Sequence, residues 1–87
     1  MFSLKGKSAI ITGGGSGIGK AISVLFAEQG AHVHIIELNA DAGVQTANEI
    51  KEAGGIADVH GCDVSNQEAV VTIFKQIGKI KVILGHL

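Results

Sequence analysis

Four short apolar runs alternate along this chain with three longer stretches in which apolar residues recur every three or four positions. Ser8-Ala9-Ile10-Ile11-Thr12, His32 to Ile36, Ile56 to Cys62 and Ile80 to Leu84 have the length and continuity of strands buried on both faces. Between them the spacing predicts three helices. Gly17 to Gln29 carries Ile18, Ile22, Leu25 and Phe26 on one face, and Asp41 to Ala53 carries Val44, Ala47 and Ile50. The third helix, opened by a capping box of Ser65 and Glu68, turns Ala69, Val70, Ile73, Phe74 and Ile77 inward. Glycines at Gly30, Gly54-Gly55 and Gly78 supply the stops.

The order is βαβαβαβ, with connections too long for hairpins and suited to parallel crossovers. Right-handed crossovers that step outward from strand one to two to three put the first two helices on one face, and the return to the far side of strand one puts the third on the other. The expected fold is α/β, the N-terminal half of a Rossmann-type doubly wound parallel sheet, with strand order 3-2-1-4. No proline, low-complexity tract or charge block marks a linker, so residues 1–87 are expected to form a single domain.

Composition narrows the possible partners. Hydrophobic residues make up 46% and charged residues 17% of the chain, which favours a packed core over disorder. A net charge of -1 without a basic run disfavours nucleic acid and acidic membranes. No apolar run is long enough for a membrane span, and Met1 to Lys7 does not read as a signal peptide; a cytoplasmic protein is expected. Cys62, the single cysteine, reads as an inert strand residue.

The chemistry concentrates between the first strand and first helix, in Thr12-Gly13-Gly14-Gly15-Ser16-Gly17-Ile18-Gly19. Backbone N–H groups and the helix dipole converge there, which suits an anion. The spacing GxxxGxG, from Gly13, Gly17 and Gly19, allows the tight turn, the approach of phosphates and close helix–strand packing. A rival phosphate loop, GxxxxGK from Gly14, Gly19 and Lys20, fails where Ala21 replaces the Ser or Thr that would ligate Mg²⁺; Lys20 then reads as a solvated residue. Glu37 falls 18 positions after Gly19, at the carboxyl end of the second strand, where its carboxylate can accept from both adenosine ribose hydroxyls and repel a 2′-phosphate. Leu38 and Asn39 add no cation, so the dinucleotide expected is NAD rather than NADP. Asp63 ends the third strand on the same edge, within reach of an adenine, and reads equally as a solvated residue entering the helix cap.

Together these residues resemble the short-chain dehydrogenase/reductase family, whose TGxxxGxG pattern is matched by Thr12, Gly13, Gly17 and Gly19. The resemblance extends over the acid at Glu37, the pair Asp63-Val64 and Ile77-Gly78-Lys79-Ile80. It implies an oxidoreductase that moves hydride between NAD(H) and an alcohol or carbonyl substrate. It also implies that Ser16 and Ile18 help to hold ribose and pyrophosphate, that Leu38 lies beside the adenosine, and that Asp63 and Val64 contact adenine. Lys81 stands where the family has Asp, and Gly85-His86-Leu87 where it has an Asn-Asn-Ala-Gly turn, as expected of a truncated or frame-altered product. The family's general acid/base is a tyrosine, and the chain contains none. No catalytic residue is therefore assigned, and the chain alone is expected to be inactive. A non-catalytic nucleotide-binding or interaction module is the alternative. Self-association, or marginal folding of the chain alone, is expected, because half of such a sheet leaves an open edge and a partly covered face. His32 and His34 share a face of the second strand without an evident third metal ligand, so no metal site is expected, and His60 and His86 read as residues partnered by backbone or solvent.

Overall fold

The computed structural model describes residues 3–13, 15, 17–78 and 82–84. The elements run β1 (Ser8–Thr12), α1 (Gly17–Glu28), β2 (His32–Glu37), α2 (Ala40–Glu52), β3 (Ile56–Gly61), α3 (Gln67–Ile77) and β4 (Val82–Leu84). The first part of the expected fourth strand, Ile80 and Lys81, lies outside the described residues, as do Gly85-His86-Leu87. All strand pairs are parallel, and the sheet order is β3-β2-β1-β4.

Alternation along the strands divides the apolar residues between two layers. Ala9, Ile11, Val33, Ile35 and Ala57 face α1 and α2, packing with Ala47 and Ile50. Ile10, Ile36 and Cys62 face α3 and meet Ile73, with Ala69, Val70, Phe74 and Ile77 against them. Ile10, Ile11, Val33, Ile35 and Ile36 are fully buried. Each contributes about 1.5–3 kcal/mol of hydrophobic stabilisation, so the central strands β1 and β2 anchor the molecule.

Helix α1 uses only part of the face that its large residues mark out: Ile22 and Phe26 pack against the core. Ile18 and Leu25 are more than half exposed, whereas Gly19 and Ser23 are buried. Small residues at i and i+4 let the helix axis approach the sheet, and the Ser23 hydroxyl is satisfied by donating to the Gly19 carbonyl at 2.8 Å. Helix α2 departs in the same way. Val44 is exposed, and Gly43 and Thr46 join Ala47 and Ile50 on the buried side. A Cβ on Gly43 would lie 2.8 Å from Val59 Cγ1, so a side chain there would push α2 off β3.

The start of α3 also differs from the expected capping box. Ser65 turns back, its N–H and hydroxyl both donating to Asp63 Oδ1 at 2.9 and 2.7 Å. With Ser65 closing that turn, Asn66 becomes the N-cap and its side chain accepts from the Ala69 N–H at 3.1 Å. Helix α1 ends as its glycine predicts: the Gly30 N–H reaches the Ala27 carbonyl and the Ala31 N–H that of Phe26, a Schellman arrangement. No helix among the described residues is long and apolar enough to cross a membrane.

Candidate nucleotide-binding site

Because β1, β2 and β3 are parallel, their carboxyl ends open on the same edge of the sheet, and the segments that follow them lie along that edge. Gly13, Gly15 and the first turn of α1 come from the β1 end, Glu37 and Leu38 from β2, Asp63 and Val64 from β3. The ladder continues into these segments. Gly13 donates to the Ile36 carbonyl at 2.8 Å, and Cys62 to that of Glu37 at 3.1 Å. The loops therefore leave a rigid sheet in fixed directions, which is where open α/β sheets place ligands.

The glycine turn is held from two sides. Glu37 Oε2 accepts the Gly15 N–H at 3.0 Å, and the buried Thr46 hydroxyl of α2 donates to the Gly15 carbonyl at 3.3 Å. A Cβ on Gly15 would sit 2.8 Å from both Ala42 Cβ and Glu37 Oε2 and 2.9 Å from the Ala42 carbonyl carbon, so only glycine fits. Gly17 has φ of +55°, a left-handed conformation costly for other residues, and a Cβ there would meet nothing within 4 Å. One glycine is required by crowding and the other by backbone conformation beside open space.

Of the residues singled out from sequence, Gly13, Gly17, Ile18, Gly19, Glu37, Leu38, Asp63 and Val64 all belong to these three segments; Ser16 and Gly14 lie outside the described residues. Ile18, Leu38 and Val64 are 66%, 74% and 53% exposed. One large apolar side chain stands uncovered on each of the three segments, where an aromatic base or ribose could take it out of water. Asp63 is fully exposed, and its hydrogen bonds from Ser65 hold its carboxyl below the usual range. Gly15, Ala42 and Thr46 were not singled out. Thr46 was legible as the one polar residue on the inner face of α2, Gly15 as a glycine beyond the minimum motif.

Lys20 points away from the turn: its Nζ pairs with Glu49 Oε2 on α2 at 2.9 Å. A triphosphatase would need that lysine on the phosphates and a hydroxyl where Ala21 stands. Asn39, noted in the sequence only as uncharged, caps α2, accepting from the Asp41 and Ala42 N–H groups.

A family model described as short chain dehydrogenase matches residues 7–85. The chain belongs to the short-chain dehydrogenase family. It is 37% identical over 87 residues to 7alpha-hydroxysteroid dehydrogenase of Escherichia coli K12, an alignment covering 95% of this chain and 34% of that protein. Among solved structures, a 7α-hydroxysteroid dehydrogenase complexed with NADH and 7-oxo glycochenodeoxycholic acid superposes with a TM-score of 0.86 at 38% identity, covering 93% of this chain and 33% of that one. A metagenomic short-chain oxidoreductase in complex with NADP gives a TM-score of 0.88 at 31% identity, with 92% and 38% covered. The chain thus spans about a third of the length of the relatives it matches.

Proposed function

We propose that this chain is the dinucleotide-binding portion of an NAD-dependent oxidoreductase acting on an alcohol or carbonyl substrate. The observation that carries the reading is the position of Glu37. Its carboxylate stands at the end of β2 against the glycine turn, with one oxygen on the Gly15 N–H. A carboxylate offers about four lone-pair sites, so this bond leaves acceptor capacity for the ribose hydroxyls of an adenosine. A 2′-phosphate in the same place would meet that negative charge, and Leu38 and Asn39 offer no cation to offset it.

In this reading the N-terminus of α1, with Gly13, Gly17 and Ile18, would hold the pyrophosphate. The partial positive charge of the helix end and its unsatisfied N–H groups favour an anion there. Leu38 and Val64 cover the faces of the adenosine, and Asp63 accepts from the adenine amine. The bound nicotinamide supplies or receives the hydride. The chain's own residues bind and orient it, and none is assigned to proton transfer, since no tyrosine is present.

Calorimetry of the chain with NAD and with NADP tests the proposal. Tighter binding of NAD is expected; tighter binding of NADP, or of ATP with Mg²⁺, overturns it. A nicotinamide absorbance that stays at background when a secondary alcohol is added is expected of the chain alone.

A further inference from the structure

His32 and His34 lie two residues apart on β2 and so project from one face of the sheet. The parallel register sets Asp58 opposite His34 and His60 opposite Ile36, which brings both onto that same face from β3. Neither residue was connected to the histidine pair by sequence spacing, since they are 26 positions away. Helix α3 packs this face over Ile10, Ile36 and Cys62, toward the carboxyl ends of the strands. The polar cluster occupies the other part of the β2–β3 surface.

Its geometry is compact. His32 Nε2 lies 2.6 Å from Asp58 Oδ2, and His34 Nδ1 lies 3.2 Å from His60 Nε2. The His32 and His34 rings stack with centroids 4.2 Å apart, and those of His34 and His60 at 5.4 Å. One donor atom each from His32, His34 and Asp58 can be chosen so that all lie within 4.8 Å of one another. In a tetrahedral zinc site with bonds of about 2.0–2.1 Å, ligand atoms stand roughly 3.4 Å apart. The three donors therefore need movements of about an ångström to surround an ion. His32 and Asp58 have the freedom to make them, with side chains 37% and 56% exposed.

Two imidazoles and a carboxylate are a donor set for zinc or a neighbouring first-row ion rather than for calcium or magnesium.

We propose that His32, His34 and Asp58 bind one divalent transition-metal ion, zinc by ligand chemistry, and that the ion ties the edge strand β3 to β2. His60 is the positioning residue: its contact with His34 Nδ1 sets the orientation of that ring, as outer hydrogen-bond partners do for metal-bound histidines. Three protein ligands leave a fourth position for water. The site is separate from the proposed nucleotide site. His32 begins β2 and Glu37 ends it, about 17 Å apart at 3.3 Å per residue.

The test is titration of the chelator-treated chain with Zn²⁺ by calorimetry and with Co²⁺ by visible absorption. One equivalent should bind, giving the intense visible bands of four-coordinate cobalt and raising the unfolding temperature. His32→Ala and Asp58→Asn, both at exposed positions, should keep the native circular dichroism spectrum and lose at least tenfold in affinity. His60→Ala should lose about 10- to 100-fold, and NAD binding should be the same with and without Zn²⁺. The proposal is overturned if the folded chain takes up no ion, or if both exposed-ligand variants bind as tightly as the parent; the cluster is then only a hydrogen-bonded polar patch.

Discussion

Glu37 Oε2 and the backbone N–H of Gly15 are 3.0 Å apart, so the side chain assigned to the ribose also braces the loop assigned to the phosphates. Removing the carboxylate therefore does two things at once. Glu37→Ala leaves the part-buried Gly15 N–H without its acceptor and should lower stability by about 1–3 kcal/mol, with a similar loss in NAD affinity. Glu37→Gln separates the effects, because an amide oxygen can still accept from Gly15 while the charge is gone. Its urea midpoint should stay near that of the parent, and its preference for NAD over NADP should shrink. Equal destabilisation by both variants would show that charge, not the hydrogen bond, holds the turn.

Two glycines of the same motif should respond differently to a single methyl group. In Gly15→Ala the new Cβ meets Ala42 and Glu37 at 2.8 Å, an overpacking that costs about 1–3 kcal/mol and displaces the loop. In Gly17→Ala the Cβ meets no protein atom within 4 Å, and the cost is the left-handed backbone, about 1–2 kcal/mol. The open space beside Gly17 is where a phosphate is proposed to rest. Gly17→Ala should thus lose NAD affinity at least tenfold, about 1.4 kcal/mol, beyond any loss from unfolding. Denaturation and calorimetry on both variants check this; unchanged NAD affinity in folded Gly17→Ala would exclude a phosphate there.

The residues that announce the fold are those whose role is local or periodic. Ile10, Ile11, Ile35 and Ile36 make continuous apolar runs that only a doubly covered strand explains, and the glycine stops set the helix ends to within a residue or so. The place of Glu37 at the end of β2, against the glycine turn, was legible because its distance from that turn converts directly into position on the next strand. What the sequence hid depends on neighbours far along the chain. Ile18 and Leu25 look like core residues until Gly19 and Ser23 bring α1 onto the sheet by a narrower face. His34, Asp58 and His60 become a cluster only through the β2–β3 register, which no local pattern encodes.

Capping of α3 gives a test of one such misreading. The N-cap is Asn66, not Ser65, so Asn66→Ala should cost about 0.5–2 kcal/mol through the lost bond to the Ala69 N–H. Ser65→Ala removes only an exposed hydroxyl bond to Asp63 and should cost less than half as much. Thermal unfolding of the two variants side by side decides the order. A larger loss for Ser65→Ala would restore the capping box and place the helix start one residue earlier.

Self-association of the isolated chain is a prediction that rests on its two sheet edges. Among the described residues β3 and β4 each pair with one neighbour, so each has an outer side on which no other described strand docks. The two edges are not alike in sequence. β3, Ile56–Gly61, carries Asp58 and His60, and charged or polar residues discourage another strand from docking. β4, Val82–Leu84, carries no polar residue at all. Apolar surface adds to the tendency, since Ile56 and Val71 remain 59% and 50% exposed. Chains of this size have a stability margin of only about 5–15 kcal/mol, and covering a single large apolar side chain contributes about 1.5–3 kcal/mol. Pairing two copies along β4 would satisfy backbone groups of that edge and shift unfolding upward with concentration. Sedimentation velocity from micromolar to millimolar chain, with thermal unfolding at each concentration, should show a growing dimer and a rising transition temperature. A monomer throughout, with one sharp transition at a fixed temperature, would mean that the β4 edge is already protected within the chain.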